Sequence, residues 1–517
     1  MAGINEENKL VLSLTPVKAI GFQQALTKCQ HVEMNTDSSY AELVQGTKGK
    51  DLVAGTEISS ELRKILRHYQ ICGVNWMMFL SKYGMGGILA DDMGLGKTLQ
   101  ILALLQCSHG QGTSIVVCPK TLINNWYEEV MKFTPEMKVL IPEGSAAQRK
   151  SQIEKLAEYD LVITSYPLIR NDLENYSAFR FRYCILDEAQ YIKNPDSETA
   201  RSIKTLSAET RLALTGTPME NSMLELWSVY DFLMPGFLAS RKEFNEHFND
   251  SPDLLRERIK PFMLRRTKTE MLPELPPKIQ QVLHTSMDQE QLGLYMAVLD
   301  SVRKSVLDIV DKTSFDRSRM QVLAALMKLR QICNHPGLIN EEYLKRKDMS
   351  AKLELFEELI NESMEGGHKV LVFSQFTSML KILAEVLEEN NIQYSYLDGN
   401  TQNRSRTIKA FTEDSQIRVF LISLKAGGYG LNLTAADTVI LFDPWWNPMA
   451  EEQAIDRVYR MGQNKPVNVY RLITKGTVED KILELQQKKR DLFNAVVGEN
   501  NDFIEALSWE DIRQVLL

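Results

Sequence analysis

One segment constrains the fold of this chain more than any other: a glycine-rich turn held between an apolar strand run and an apolar helix run. Gly87-Ile88-Leu89-Ala90 has the composition of a buried strand, and Leu99–Leu105 that of a helix packed on a sheet. Between them lies Asp91-Asp92-Met93-Gly94-Leu95-Gly96-Lys97-Thr98. A strand, a glycine turn and a helix in that order aim backbone N–H groups and the positive end of a helix at one point, where a phosphate is stabilised. Lys97 adds a charge suited to β- and γ-phosphates, and the Thr98 hydroxyl is of the type that ligates Mg2+. The segment reads as a phosphate loop for a nucleoside triphosphate. The strict pattern has Gly where this chain has Asp91.

A chain of 517 residues exceeds one core, so two to four domains are expected. Residues 1–60 are mixed and polar, with Gly46-Thr47-Lys48-Gly49-Lys50 reading as a linker. From about 61 to 240, strand runs (Ile88–Ala90, Ser114–Cys118, Asp160–Thr164, Tyr183–Leu186, Arg211–Leu214) alternate with helical stretches. Such alternation implies a parallel sheet covered on both faces. Between about 285 and 335 the period is helical, as at Val322, Leu326 and Leu329. Strand runs resume at Lys369–Phe373, Arg418–Ile422, Thr438–Phe442 and Val467–Leu472. The chain is thus read as α/β, with an N-terminal extension (1–60), a first lobe (61–275), a helical insertion (276–350), a second lobe (351–480) and a C-terminal bracing helix (481–517). That last helix rests on the stripe Ile482, Leu485, Leu492 and Val496. Only the first lobe has a phosphate loop.

Composition narrows the class. The chain is 44% hydrophobic and 25% charged, ordinary for a globular protein. No apolar run reaches membrane-spanning length, and no signal-peptide core precedes the polar start. Six scattered cysteines without a C-x-x-C pair argue for a reducing compartment and against a zinc site. A net charge of −8 excludes a uniformly basic coat, so any nucleic-acid contact must come from a local groove.

Three further segments carry chemistry. Tyr183–Leu186 runs into Asp187-Glu188-Ala189-Gln190, two carboxylates at the end of a buried strand, where open α/β sheets bind ligands. Asp187 is placed to hold Mg2+, and Glu188 to orient and deprotonate an attacking water. Thr215-Gly216-Thr217-Pro218 after the next strand run is either a polar turn or a coupling element. Gln453–Arg460 sets Arg457 and Arg460 three apart, on one face of a helix, as a surface ion-pair face or as arginine fingers.

Together these segments resemble the SWI/SNF-related ATPases, a branch of the superfamily-two helicase-like motors, over roughly residues 61–500. The matches fall in that family's order. They include Leu66–Gln70, the phosphate loop, Val117–Leu122, Thr164–Tyr166, Asp187–Gln190, Leu214–Asn221 and Leu329–Pro336. Val372–Phe376, Ser423–Thr434, Asp443–Pro448 and Gln453–Gln463 complete the series. The resemblance implies two RecA-like lobes with ATP and Mg2+ as cofactors. It implies that Arg67 and Gln70 serve the nucleotide, Gln70 reading the adenine edge. Asp91, Asp92, Met93, Gly94, Leu95, Gly96, Lys97 and Thr98 would surround the phosphates. Lys97, Asp187, Glu188, Gln453, Arg457 and Arg460 would be catalytic, with Thr98 and Asp187 on the metal. Lys120, Asn125, Trp126, Ser165 and Tyr166 match one side of a DNA groove, and Gln375, Arg404, Lys425, Gly428 and Trp446 the other. Of the paired tryptophans, Trp445 is expected to pack and Trp446 either to pack or to stack on bases. The Arg265-Arg266-Thr267-Lys268 cluster is expected at the join between lobes. Gln190, Tyr459 and Met461 depart from the family's usual His, His and Ile.

The expected function is ATP-driven translocation on double-stranded DNA by a monomeric motor, acting on a DNA-bound protein in a prokaryotic cytoplasm at the nucleoid, with no membrane partner. The rival within the same motor core is a strand-separating helicase on single-stranded DNA or RNA. A non-hydrolysing ATP-gated module is disfavoured by the intact Lys97, Asp187, Glu188 and Arg457.

Overall fold

The computed structural model describes residues 2–4, 10–12, 14–26, 36, 38–48, 58–216, 223–248, 252–313, 315–344, 346–427, 432–446, 448–484 and 486–487. Two compact units divide the chain, Met1–Pro273 and Glu274–Leu517. In chain order the strands of the first are β1 (Ala2–Ile4), β2 (Leu10–Leu12), β3 (Gly87–Leu89), β4 (Ser114–Cys118), β5 (Val139–Leu140), β6 (Leu161–Ser165), β7 (Arg180–Asp187), β8 (Ser207–Leu214) and β9 (Met263–Leu264). The first two form a small antiparallel pair. The rest form a seven-stranded sheet in the order β5-β6-β4-β7-β8-β3-β9, with every pair parallel. The central strands β4 and β6 are buried at every position, which is why they read as unbroken apolar runs.

The N-terminal stretch corrects the sequence reading. Residues 46–48 end a helix, Ser38–Lys48, rather than opening a linker. That helix and its neighbour Pro16–Leu26 bury Ala19, Ile20 and Leu43 in the first lobe's core.

The second unit adds β10 (Lys278–Thr285), β11 (Val370–Ser374), β12 (Tyr394–Leu397), β13 (Val419–Ser423), β14 (Thr438–Leu441) and β15 (Val467–Thr474). They order as β10-β15-β14-β11-β13-β12, again all parallel. Strand β10 falls where the sequence was assigned to a helical insertion; it is an edge strand and mostly exposed, so it carries no apolar run. The helical pair follows it, Gln289–Thr313 and Phe315–Asn334. Val322, Leu326 and Leu329 lie on its buried stripe, with Ile482 in the same cluster. Leu485, Leu492 and Val496, expected on the bracing helix, lie outside the described residues.

Candidate active site

The phosphate loop leaves β3 and curls into helix Lys97–Cys107, whose N-cap is Gly96. Gly94 (φ 87°) and Gly96 (φ 74°) both take left-handed backbone, which a side chain would strain. The curl brings the loop over the helix start, where the first N–H groups have no intrahelical acceptor. Lys97 Nζ donates to the carbonyls of Asp91 at 2.5 Å and Asp92 at 3.4 Å, which fold the ammonium back over the loop. Met93 lies against Gly216: a Cβ on that glycine would sit 3.1 Å from Met93 Cγ. The phosphate loop therefore passes against the turn after β8.

Two residues expected at the nucleotide make buried hydrogen bonds within the protein. Gln70 is buried near the start of helix His68–Lys82. Its Oε1 accepts from the Arg67 N–H (2.9 Å) and its Nε2 donates to the Leu95 carbonyl (3.0 Å). It therefore braces the loop from behind, alongside the Tyr69 hydroxyl, which donates to the same carbonyl at 3.1 Å. The Asp91 carboxylate is likewise buried, paired with Arg266, whose Nε donates to Asp91 Oδ1 at 2.8 Å. The Arg265–Lys268 cluster thus contributes to the phosphate loop of the first lobe.

The acid pair sits at the carboxyl end of β7. Asp187 Oδ2 accepts from the Trp126 indole N–H (2.8 Å), Oδ1 accepts from the Glu188 N–H (3.0 Å), and its carbonyl accepts from the Tyr166 hydroxyl (2.8 Å). Burial first, and then the neighbouring Glu188 charge, push the Asp187 carboxyl up to about 7, against the Trp126 hydrogen bond and the Lys97 charge. Two acids held this close suit a divalent cation, which relieves their repulsion. Mg2+ characteristically takes one or two protein carboxylates and fills its shell with water and phosphate oxygens. The chemistry of the Asp187 carboxylate and the Thr98 hydroxyl is of the kind such an ion takes.

Glu188 is a non-glycine residue at φ 54°, a local cost retained where geometry at a site requires it. Its Oε2 accepts from Gln190 Nε2 at 2.8 Å, and Gln190 Oε1 accepts from Thr215 Oγ1 at 3.1 Å. A donor–acceptor run therefore joins the turn after β8 to the acid, and Gln190 links it because an amide both donates and accepts. Thr217 and Pro218 of that turn lie outside the described residues.

The expected DNA residues divide. Lys120 is exposed and Asn125 half-exposed. Trp126, Ser165 and Tyr166 are buried, so their side chains do not line a groove; Trp126 and Tyr166 instead hold Asp187. In the second lobe Gln375 is half-buried and accepts from Arg330 Nη1 at 3.0 Å. Arg404 begins helix Arg404–Glu413 and is half-exposed. Lys425 lies on helix Leu424–Gly427, and Gly428 lies outside the described residues. Trp446 is no stacking platform: it is 5% exposed, in the core of the helical pair with the Arg330 guanidinium 5.3 Å from its ring centroid, while Trp445 is the half-buried ring. Gln453 lies on helix Pro448–Ile455, which ends before the arginines. Arg457 and Arg460 therefore stand in a turn rather than on a helix face, Arg457 buried and Arg460 half-exposed.

Sequence reasoning missed the buried ionic network of the second lobe. Asp443 receives hydrogen bonds from Ser374 Oγ and, at 3.2 Å, from the Gln375 N–H, with Arg330 Nη2 3.8 Å away. Lys352 Nζ donates to Glu479 Oε1 (2.7 Å), the Phe442 carbonyl (3.0 Å) and Asn334 Oδ1 (3.2 Å). The sequence signals were the Leu329–Pro336 segment, which supplies Arg330 and Asn334, and the segments Val372–Phe376 and Asp443–Pro448, which supply Ser374, Gln375 and Asp443.

Known proteins align with this architecture. The SNF2-related domain family matches residues 69–338, and the helicase conserved C-terminal domain matches residues 351–462. An uncharacterized ATP-dependent helicase of Mycoplasma pneumoniae is 38% identical over 89% of this chain and 45% of its own length. The TATA-binding protein-associated factor MOT1 of Saccharomyces cerevisiae is 34% identical over 88% of this chain and 28% of its own length. Among solved structures, a Sulfolobus solfataricus SWI2/SNF2 ATPase core in complex with dsDNA is 36% identical, covering 87% of this chain and 96% of that one, at a TM-score of 0.42. The chain spans less than half the length of these two curated relatives. It belongs to the SNF2-related family of ATP-dependent, helicase-type enzymes. Among the described residues, no helix is long and apolar enough to cross a membrane.

Proposed function

We propose that this chain is an ATP-driven translocase on double-stranded DNA that displaces or remodels bound protein. The observation that supports this most is the Asp187–Glu188 pair, held by Trp126, Tyr166 and Gln190 in the lobe that carries the phosphate loop, within a chain of this family. Loop N–H groups and Lys97 grip the β- and γ-phosphates. Glu188 orients the attacking water and takes its proton. Thr98 and Asp187 would hold Mg2+, which would supply charge neutralisation at the phosphate oxygens. Gln453, Arg457 and Arg460 are the second lobe's proposed contribution to the γ-phosphate. Lys120, Asn125, Gln375, Arg404 and Lys425 are the proposed DNA contacts. Grip through phosphates carries little sequence information and weakens steeply with salt. The printed name of the yeast relative supports a DNA-bound protein as the object moved, and the Mycoplasma relative supports a prokaryotic setting, in which the nucleoid is the proposed place of action.

The test pairs two substrates under ATP: a triplex whose third strand is displaced by a motor running on duplex, and a forked duplex that reports strand separation. Displacement of the third strand with the fork intact is the expected result. Opening of the fork without triplex displacement would overturn the reading in favour of a strand-separating helicase.

A further inference from the structure

Asp91 sets a problem that the phosphate loop must solve. A buried carboxylate at the mouth of an anion site repels the very phosphates the loop is built to hold. The chain answers it with a residue far away in sequence. Arg266 meets Asp91 through Nε at 2.8 Å and through Nη2, and Nη2 also donates to Gln100 Oε1 at 2.8 Å. Gln100 in turn donates to Asp91 Oδ2 at 3.1 Å. The guanidinium lies 5.1 Å from the Tyr69 ring centroid and donates to the Tyr69 carbonyl. Gly73 leaves room for the cluster: a Cβ there would come within 2.0 Å of Gln100 Oε1 and 2.9 Å of Arg266 Nη2.

The backbone repeats the connection. The parallel ladder pairs Ile88 with Met263 and Leu89 with Leu264. It then continues beyond the strands, with Ala90 N–H donating to the Leu264 carbonyl (2.7 Å) and Asp92 N–H to the Arg266 carbonyl (3.0 Å). The Lys268 N–H donates to Asp92 Oδ2 at 3.0 Å. The entry of the phosphate loop and the segment Met263–Lys268, which precedes the boundary between the two units, are therefore hydrogen-bonded at three successive points.

We propose that Arg266 is a positioning residue for ATP use: it neutralises Asp91 beside the phosphate loop and fixes that loop to the 263–268 segment, so that nucleotide affinity and the placement of the segment form one equilibrium. The inference rests on the ATPase reading above, and the wild-type chain distinguishes the two. A wild-type chain that hydrolyses no ATP refutes the reading itself, whereas the variants below test Arg266 only in a chain that does.

The test uses Arg266→Gln, which keeps hydrogen-bonding groups but removes the charge, and the double variant Arg266→Gln with Asp91→Asn, which removes both charges. Arg266→Gln is expected to raise the KM for ATP about tenfold or more with a smaller change in kcat, and the double variant to recover most of that loss. A merely structural ion pair would lower thermal stability in the single variant and leave KM alone. Hydrogen exchange provides a second readout that needs no turnover. A non-hydrolysable ATP analogue should slow exchange of the Asp92 and Lys268 amides in the wild-type chain and fail to do so in Arg266→Gln. A folded Arg266→Gln with a wild-type KM, or a double variant no better than the single, would overturn the proposal.

Discussion

Both lobes are built on a parallel sheet, and one acid cluster at the strand ends of each, Asp187–Glu188 in the first and Asp443 with Glu479 in the second, is treated in opposite ways. In the first, Asp187 is met by neutral donors, the Trp126 indole and the Glu188 amide, and its carboxyl is pushed up to about 7 by burial and the adjacent acid. In the second, Asp443 and Glu479 are met by cations from the same unit, Arg330 and Lys352, all four buried. The Asp187–Glu188 pair is hydrogen-bonded by uncharged groups, at an energetic cost to the protein alone, whereas Asp91 of the same lobe is paired with Arg266. The second lobe neutralises its cluster with its own chain, which ties the helical pair to the sheet. One architecture thus supports a chemical site or a scaffold, depending on what sits at the strand ends.

The contrast can be broken at either end. The largest expected effect is in the first lobe: Lys97→Ala or Glu188→Gln should lower ATP turnover by about 10³-fold or more with the thermal midpoint little changed. A folded variant with near-normal turnover would remove these residues from the chemistry. Next comes Arg457→Ala, where a finger role predicts roughly a 10³-fold loss of kcat. A loss below about tenfold would make this buried arginine part of the turn that holds it. In the second lobe, Lys352→Met leaves Glu479 buried without its cation and should cost about 3–5 kcal/mol in denaturant unfolding. If the cost is under about 1 kcal/mol, the second lobe is not the scaffold described above. The smallest effect sharpens the first lobe alone: Thr215→Val cuts the run through Gln190 to Glu188 and should lower kcat by about tenfold while leaving KM for ATP in place.

What the sequence revealed and what it hid follows the same divide. Strands such as Ser114–Cys118 and Val370–Ser374 were legible because both sheet faces are covered and every residue is apolar or small. Strand Lys278–Thr285 was not, because an exposed edge carries polar residues without alternation. The phosphate loop and the acid pair were legible because their chemistry is local, set by a turn and a strand end. The Asp91 ion pair was not legible, because its partner, Arg266, lies 175 positions away and only the fold brings the two together. The tryptophans and Arg457 show the same limit from the other side. Residue type named a plausible chemistry, but burial of Trp126 and Trp446, and a helix that stops at Ile455, are properties of packing.

The measurement that bears most directly on the whole account is the steady-state ATPase rate of the purified chain without nucleic acid and with double-stranded DNA, single-stranded DNA or RNA, using Lys97→Ala as the blank. Strong stimulation by duplex DNA, falling steeply as salt rises, is the expected result. Stimulation mainly by single strands or RNA, or turnover that persists in Lys97→Ala, would contradict it.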